Sequence, residues 1–200
     1  METQVERGAG KGVGDRLDDG SFWVFAYGSL MWLPEFETVE TRMARLRNYR
    51  RAFALISVHY RGTPERPGLV LGLDWCPGSE CVGMALRVGP HGADEVREYL
   101  ATRELVTRSY FEVMQKVTLL CPGPGQGEDV DAICYIVDRT HPQYAGGMSL
   151  EEQAEIISAA VGPRGTNREY LARTMSLLRQ MGIEDPDLGE LERLVEARKA

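Results

Sequence analysis

The fold of this chain depends on residues 22–30, which read FWVFAYGSL. The first six of these residues are aromatic, β-branched or small and apolar, and such a run is typical of a buried β-strand. Gly28 follows the run and predicts a turn, because glycine adopts backbone conformations that a side chain forbids. Ser29 places a hydroxyl at that turn. The segment therefore predicts a core strand whose exit turn carries polar groups.

Alternating apolar and polar residues predict further strands in the middle of the chain. Residues 42–58 predict two strands that bend near Asn48, with the arginines of this segment on a solvated face. The pair Pro77-Gly78 predicts a turn between two strands, and loop 121–127, rich in proline and glycine, predicts the turn of a hairpin. The later strands are predicted at residues 69–73, 81–88, 111–119 and 130–137.

The last quarter of the chain is predicted to be helical. Ser149 has a glutamate three residues later, which is the spacing of a capping box ahead of a helix. Asn167 is predicted to cap a second helix, and the pair Asp185-Pro186 to start a third. One more helix, 93–106, lies among the strands. Strands in the middle and helices at the end predict an α+β fold rather than a regular alternation of strand and helix.

The composition is that of one folded domain with a polar N-terminal tail. The chain has 200 residues, 43% of them hydrophobic, and a formal net charge of −7, which suits a single domain with its own core. Residues 1–20 are rich in glycine and poor in large apolar side chains, so they are predicted to be a disordered tail ahead of a domain at 21–200. The acidic balance argues against a nucleic-acid or membrane partner and favours a small-molecule ligand.

Cysteine and histidine usage predicts a cytoplasmic protein without a metal site. The N-terminal region has no apolar segment typical of a secretory signal, and no uncharged run is long enough to span a bilayer. The four cysteines form no C-x-x-C pair and are predicted to be free thiols. The three histidines are scattered, without the spacing that places two zinc ligands on one helix face.

Glu104 is an unusual ionisable residue because it continues an apolar stripe. It falls on the same face of the 93–106 helix as the apolar residues four and eight positions before it. Burial disfavours the charged form of a carboxyl, which raises its pKa and suits it to accept and return a proton near neutral pH. A structural interpretation stays open, in which Glu104 ends a helix and pairs with Arg103 or Arg108.

The turn at residues 27–30 is the second candidate for chemistry. Without a Cβ at Gly28, backbone N–H groups can turn toward a ligand, and Ser29 adds a hydroxyl. Such a turn can hold a carboxylate or a developing oxyanion. The alternative is a Gly-Ser turn that only ends a strand.

Several short motifs occur along the chain in a fixed order. They are FAYGSLMW at 25–32, YRR at 49–51, RGT at 61–63, PG at 67–68, CVGMA at 81–85, YL at 99–100, RE at 103–104, GP at 162–163 and GTNREYL at 165–171. Each motif is short, but the ordered series is specific. It resembles the ChaC family of γ-glutamylcyclotransferases, especially its bacterial branch.

The resemblance implies a small mixed β-barrel with surrounding helices, which is the γ-glutamylcyclotransferase-like fold. It implies that the protein cyclises the γ-glutamyl group of glutathione and releases 5-oxoproline and cysteinylglycine, with Glu104 as the catalytic acid and base. It implies no metal and no other cofactor. The residues that it places at the substrate are Ala26, Tyr27, Gly28, Ser29, Leu30 and Tyr170.

Two alternatives to a glutathione-specific enzyme stay open at this point. The first is a cyclotransferase for other γ-glutamyl amides, whose choice of leaving half depends on loops such as 61–68 and 141–148. The second is a non-catalytic regulatory or interaction module. Such a module does not need an acid at Glu104, and the acid is present here.

Overall fold

The computed structural model describes residues 16–105, 107–120 and 127–199. A closed five-stranded β-barrel forms the centre of this part of the protein. Its strands are β1 (Phe22–Ala26), β2 (Glu40–Ser57), β3 (Gly68–Val88), β4 (Tyr110–Leu119) and β5 (Asp129–Val137). The short strands β6 (Val161–Gly162) and β7 (Gly165–Thr166) form a separate pair. The helices are α1 (Ala93–Glu104), α2 (Leu150–Ala159), α3 (Asn167–Gln180) and α4 (Pro186–Glu196). The predicted α+β class, with a small mixed β-barrel and surrounding helices, is confirmed.

Strand β1 closes the barrel because it pairs along both of its edges. It runs antiparallel to β3, with Phe22 opposite Val88, and parallel to β5, with Val24 opposite Ile133. All of its residues are buried, as the apolar run predicts. After it the chain enters a single 3₁₀ turn, Ser29–Met31. The predicted strand and exit turn are therefore confirmed, and the barrel wall fixes where that turn lies.

Strands β2 and β3 are each continuous where the sequence predicts two shorter strands. The register between them shifts next to Asn48, which has a φ of 65°. The side-chain oxygen of Asn48 accepts a hydrogen bond from the N–H of Gly78 at 3.1 Å, and Gly78 itself has a φ of 83°. A bulge of this kind bends a strand pair without reversing it. Asn48, which predicts a bend, and Gly78, which predicts a turn, therefore lie together at one bulge in the long β2–β3 pair.

Arg51 is enclosed, so the predicted solvated face of arginines is wrong at this position. Only 2% of its side chain is exposed. Its Nε donates to the carbonyl oxygen of Tyr27 and its Nη2 to that of Val82, both at 2.6 Å. Its Nη1 lies 3.2 Å from Oδ2 of Asp185. A buried guanidinium needs such partners, and these tie the end of β1 to the start of α4.

The C-terminal helices begin close to the predicted residues, with one different cap. Ser149 caps α2 and Asp185 caps α4, as predicted. Thr166 caps α3 in place of Asn167. The buried amide of Asn167 instead accepts the N–H of Leu69 at 2.6 Å and donates to its carbonyl oxygen at 2.8 Å. Asn167 therefore fastens α3 to β3, a long-range role that its position in the sequence does not reveal.

Residues 16–20 make contacts with the body of the protein. Oδ2 of Asp19 lies 2.7 Å from Nη2 of Arg87, and Arg16 pairs with Asp94 in the first turn of α1. Residues 1–15 lie outside the described residues. The boundary between a tail at 1–20 and a domain at 21–200 therefore stays a prediction.

The cysteines and the helices can be compared with the sequence-based expectations. Cys76, Cys81 and Cys134 are free thiols, as predicted, while Cys121 lies outside the described residues. Among the helices of the described chain, none is both long enough and apolar enough to cross a membrane. The cytoplasmic location stays a prediction.

Candidate active site

A cavity of about 540 Å³ opens where the end of β1, the end of α1 and helix α3 meet. Its wall combines the predicted acid with the predicted substrate turn, although these parts are distant in the sequence. The candidate residues that line it are Tyr27, Gly28, Ser29, Leu30, Glu104 and Tyr170. Closure of the barrel thus brings the candidate chemistry to one place.

Ala26 is the one candidate that does not line this cavity. It is fully buried in β1, opposite Met84 of β3. A Cβ added at Gly83 would lie 2.3 Å from the carbonyl oxygen of Ala26. The absence of a side chain at Gly83 therefore lets β1 lie close to β3, and Ala26 is part of the barrel wall next to the turn.

Glu104 is the last residue of α1, and its carboxyl is largely enclosed. Only 17% of its side chain is exposed, and its Oε1 lies 3.1 Å from Nε of Arg103. Burial raises the pKa of Glu104, while the positive charges of Arg103 and Arg164 act in the opposite direction. Glu104 therefore both pairs with Arg103 and lines the cavity. From the sequence alone, these two roles are alternatives.

Four tyrosines with neutral phenols line the same cavity as the carboxyl. Burial raises the pKa of each phenol, and the charge of Glu104 adds to the increase; for Tyr170 the pKa reaches about 12. The hydroxyl of Tyr110 donates to the carbonyl oxygen of Leu71 at 2.8 Å. The members of this set are Tyr27, Tyr110, Tyr135 and Tyr170. No local pattern marks Tyr110 and Tyr135 as site residues, because the pairing of β4 with β5 places them there.

Tyr170 forms the wall directly opposite the turn. Its ring packs against Trp32 and Phe53, with 5.8 Å between ring centroids in each case. A Cβ added at Gly28 would lie 3.4 Å from the phenol oxygen of Tyr170. Even a methyl group at Gly28 would therefore be in van der Waals contact with this phenol, so the turn and Tyr170 lie close together.

Arg103 joins the turn to the acid, a connection that the sequence does not predict. Its Nη2 donates to Oγ of Ser29 at 3.0 Å, and its Nε faces Oε1 of Glu104. Only 10% of the Arg103 side chain is exposed. One guanidinium therefore contacts both halves of the candidate site.

More arginines give the cavity wall a positive charge. Arg61 lies over the ring of Tyr170, with 5.1 Å from its Cζ to the ring centroid. Burial lowers the pKa of Arg61, and the neighbouring charges of Arg173 and Arg164 contribute to the decrease. All three guanidinium-bearing residues line the cavity. Such a surface suits an anionic ligand, and no sequence pattern links these three positions.

The described residues contain no group of three or more His, Cys, Asp and Glu side chains placed to hold a metal ion. The wall of the cavity offers the enclosed carboxyl of Glu104, neutral phenols, guanidinium groups and the backbone and hydroxyl of the turn, together with the side chains of Glu35 and His59. This set suits proton transfer to and from an anionic small molecule.

Comparisons with known proteins agree with this arrangement. A family model described as ChaC-like protein matches residues 22–198. The glutathione-specific gamma-glutamylcyclotransferase of Escherichia coli K12 is 35% identical over 184 residues, which is 92% of this chain and 76% of that protein. The protein of the same name from Schizosaccharomyces pombe is 32% identical over 198 residues, covering 90% of this chain and 94% of the relative.

The fold has a close counterpart among solved structures. A yeast γ-glutamyl cyclotransferase specific to glutathione superposes with a TM-score of 0.81 at 25% identity, covering 89% of this chain and 96% of that chain. The family match spans the barrel, the cavity and the C-terminal helices. The resemblance found in the sequence is thus confirmed, and this chain belongs to the ChaC-like family.

Proposed function

We propose that this protein is a γ-glutamylcyclotransferase that converts glutathione into 5-oxoproline and cysteinylglycine. The observation that carries the proposal is the enclosed carboxyl of Glu104 in one cavity with the turn at residues 27–30. Relatives named as glutathione-specific γ-glutamylcyclotransferases, which match most of the chain, support the choice of substrate. The ligand is a small molecule in every version of this proposal.

The reaction needs no nucleophile from the protein. The α-amine of the γ-glutamyl group attacks its own γ-carbonyl carbon, the new N–C bond closes a five-membered lactam, and the C–N bond to cysteine breaks. Intramolecular reactions held in a productive geometry reach effective molarities of about 10⁵–10⁸ M. The tasks of the enzyme are therefore to fold the substrate and to move protons.

Glu104 is the acid and base of this scheme. Its carboxylate accepts a proton from the α-ammonium group, which leaves a free amine for attack. The resulting carboxylic acid gives that proton to the departing amine of cysteinylglycine. The attacking nitrogen still carries two protons at this stage, and it loses one of them to the regenerated carboxylate, which passes it to water, so that a neutral lactam remains. Because burial raises the pKa of Glu104, the two protonation states lie closer in energy near neutral pH than for an exposed glutamate.

The turn and the arginines bind the two ends of the substrate. Gly28 and Ser29 anchor the γ-glutamyl group and stabilise the oxyanion that forms at its γ-carbonyl. Tyr170 closes the opposite wall. Arg61 and its neighbours supply positive charge for the carboxylates of glutathione. The steps consist of proton transfer and carbonyl addition, so the scheme uses no metal or redox cofactor.

We also propose a cytoplasmic location. The free thiols of Cys76, Cys81 and Cys134 are what a reducing compartment maintains. A substrate that carries a thiol is kept reduced in the same conditions. Export of the protein to an oxidising compartment in its native host would contradict this part of the proposal.

The test is release of 5-oxoproline from reduced glutathione by the purified protein, with and without a metal chelator. We expect equal rates in the two conditions, and loss of most turnover in Glu104→Gln. Parallel assays with γ-glutamylcysteine, γ-glutamyl amino acids and a γ-glutamylamine measure the preference for the leaving half. Glutathione that binds without forming 5-oxoproline would contradict the enzyme and support a binding module.

A further inference from the structure

The guanidinium of Arg103 divides its three nitrogens among three parts of the cavity wall. Nε contacts Oε1 of Glu104 at 3.1 Å, and Nη2 donates to Oγ of Ser29 at 3.0 Å. Nη1 donates to the carbonyl oxygen of Leu33 at 2.8 Å and to the phenol oxygen of Tyr99 at 2.6 Å. A planar fork of donors can hold several acceptors in a fixed relative geometry. The acid, the turn and the segment after the turn thus share one anchor.

The segment after the turn is held in an uncommon conformation. Glu35 has a φ of 60°, in the left-handed region that L-residues rarely adopt. Its carboxylate accepts hydrogen bonds from the hydroxyl of Tyr99 at 2.6 Å and from Nη1 of Arg103 at 3.3 Å. Such conformations persist where the surroundings fix them. Glu35 and Leu33 both line the cavity, so Arg103 and Tyr99 fix part of its wall.

We infer that Arg103 is a positioning residue for the cyclisation, an inference that rests on the proposed function. Its guanidinium fixes the Ser29 turn and the Glu104 carboxyl in one frame and places a positive charge beside that carboxyl. The frame sets where the substrate lies relative to the group that moves its protons. Misplacement of reacting groups by about 1 Å can reduce a rate by about 10²-fold.

The other charged and titratable groups around Glu104 do not replace Arg103. Arg164, between β6 and β7, also favours the ionised carboxyl, but its contribution ranks below that of Arg103. Glu35, His59, Arg61 and Arg173 share the cavity wall with Glu104. The phenols of Tyr27, Tyr110, Tyr135 and Tyr170 have raised pKa values, so they stay neutral. Removal of Arg103 should therefore raise the pKa of Glu104 further, because burial remains and the main charge that lowers this pKa is gone.

The test compares Arg103→Met and Arg103→Lys with a matched control on the same helix. The control is Arg97→Met, which removes an ion pair with Glu112 at 2.9 Å. Neither Arg97 nor Glu112 lines the cavity. The first readout is an NMR pH titration of the ¹³C-labelled Glu104 carboxyl, assigned by its absence in Glu104→Gln. The second is kcat/KM for glutathione as a function of pH.

Arg103→Met is expected to titrate the Glu104 carboxyl at higher pH than the wild type, because a charge that stabilises the carboxylate is gone. The acid limb of its kcat/KM profile should move to higher pH as well, since Glu104 must be ionised to accept the first proton. Arg103→Lys keeps a charge but not the fork. It should titrate near the wild type with kcat/KM reduced by about 10²-fold. Arg97→Met should match the wild type in both readouts.

Three results would overturn the inference. The first is an unchanged Glu104 titration in Arg103→Met, and the second is the same titration shift in Arg97→Met. The third is wild-type kcat/KM in Arg103→Lys. If circular dichroism shows that Arg103→Met does not fold, the kcat/KM of Arg103→Lys alone tests whether Arg103 is a positioning residue. If the wild type releases no 5-oxoproline, the proposed function fails, while the titration still reports on the contact between Arg103 and Glu104.

Discussion

Asp74 and Glu104 are both acidic residues in the interior of the protein, and they are held in different ways. Asp74 is fully buried. Its Oδ1 accepts hydrogen bonds from Nε of Arg139 at 2.7 Å and from the hydroxyl of Tyr144 at 3.1 Å. Its Oδ2 accepts from Nη2 of Arg50 at 3.2 Å. Glu104 meets the guanidinium of its neighbour through Oε1 and lines the cavity.

The difference separates an acidic residue with a structural role from a candidate catalytic residue. Donors on both oxygens hold Asp74 in a single arrangement, and Asp74 does not line the cavity. Glu104 borders open space, and burial raises its pKa, so a ligand can exchange a proton with it. A buried carboxyl therefore becomes a candidate for catalysis through its access to a cavity rather than through burial itself.

Glu104→Gln is expected to have the largest effect on turnover. Glutamine keeps the shape of the side chain and can still accept a hydrogen bond from Arg103, but it cannot carry a proton. General acid and base groups contribute ~10²–10⁴-fold to rate, so release of 5-oxoproline from glutathione should fall by that factor. A variant that is folded by circular dichroism and retains the wild-type rate would place Glu104 in the same class as Asp74.

Gly28→Val is expected to reduce kcat/KM for glutathione by about 10²-fold. Its Cβ would lie 3.4 Å from the phenol oxygen of Tyr170 and 3.7 Å from the side chain of Leu71, so the two methyl groups beyond it would have to shift the turn or these residues of the cavity wall. Gly28→Ala adds only the Cβ and serves as the matched control, with a smaller loss. Wild-type kinetics in Gly28→Val would show that the turn only ends a strand.

Asp74→Asn is expected to affect stability and to leave turnover unchanged. Asparagine cannot accept on both of its polar atoms, so at least one of Arg50, Arg139 and Tyr144 loses its partner. Loss of such a partner costs about 1–3 kcal/mol in the free energy of unfolding, and the midpoint of thermal unfolding of a chain of this size should fall by about 2–4 °C for each kcal/mol. A drop in kcat/KM at room temperature, with stability unchanged, would reverse the assignment of the two acids.

The sequence predicts those parts of the site that are encoded within a few consecutive residues. The strand at 22–26, its exit turn and the stripe that ends at Glu104 all follow from local composition and period. The residues that these groups contact across the fold do not follow from the local sequence. Tyr110 and Tyr135 enter the cavity through strand register, and Arg51 is enclosed by contacts with Tyr27 and Asp185, which are distant from it in the sequence. Long-range pairing has no local signature, which is why an arginine-rich stretch predicts a solvated face.

The smallest expected effect is that of Glu104→Gln on stability, and its direction is opposite to that of Asp74→Asn. Burial raises the pKa of Glu104 in the folded protein above its ordinary value of 4.5. In the pH range between these two pKa values the folded state binds more protons than the unfolded state. The stability that the protonated carboxyl contributes is therefore fully present below pH 4.5 and is lost as the pH rises through the folded pKa.

Glutamine does not titrate, so Glu104→Gln should be more stable than the wild type at neutral pH. The difference in the free energy of unfolding should shrink as the pH falls toward 4.5. Denaturant unfolding of both proteins at a series of pH values measures this difference. If Arg103 outweighed burial, the variant would instead be the less stable protein at neutral pH. Glu104 would then lack the raised pKa that allows it to return a proton to the leaving amine.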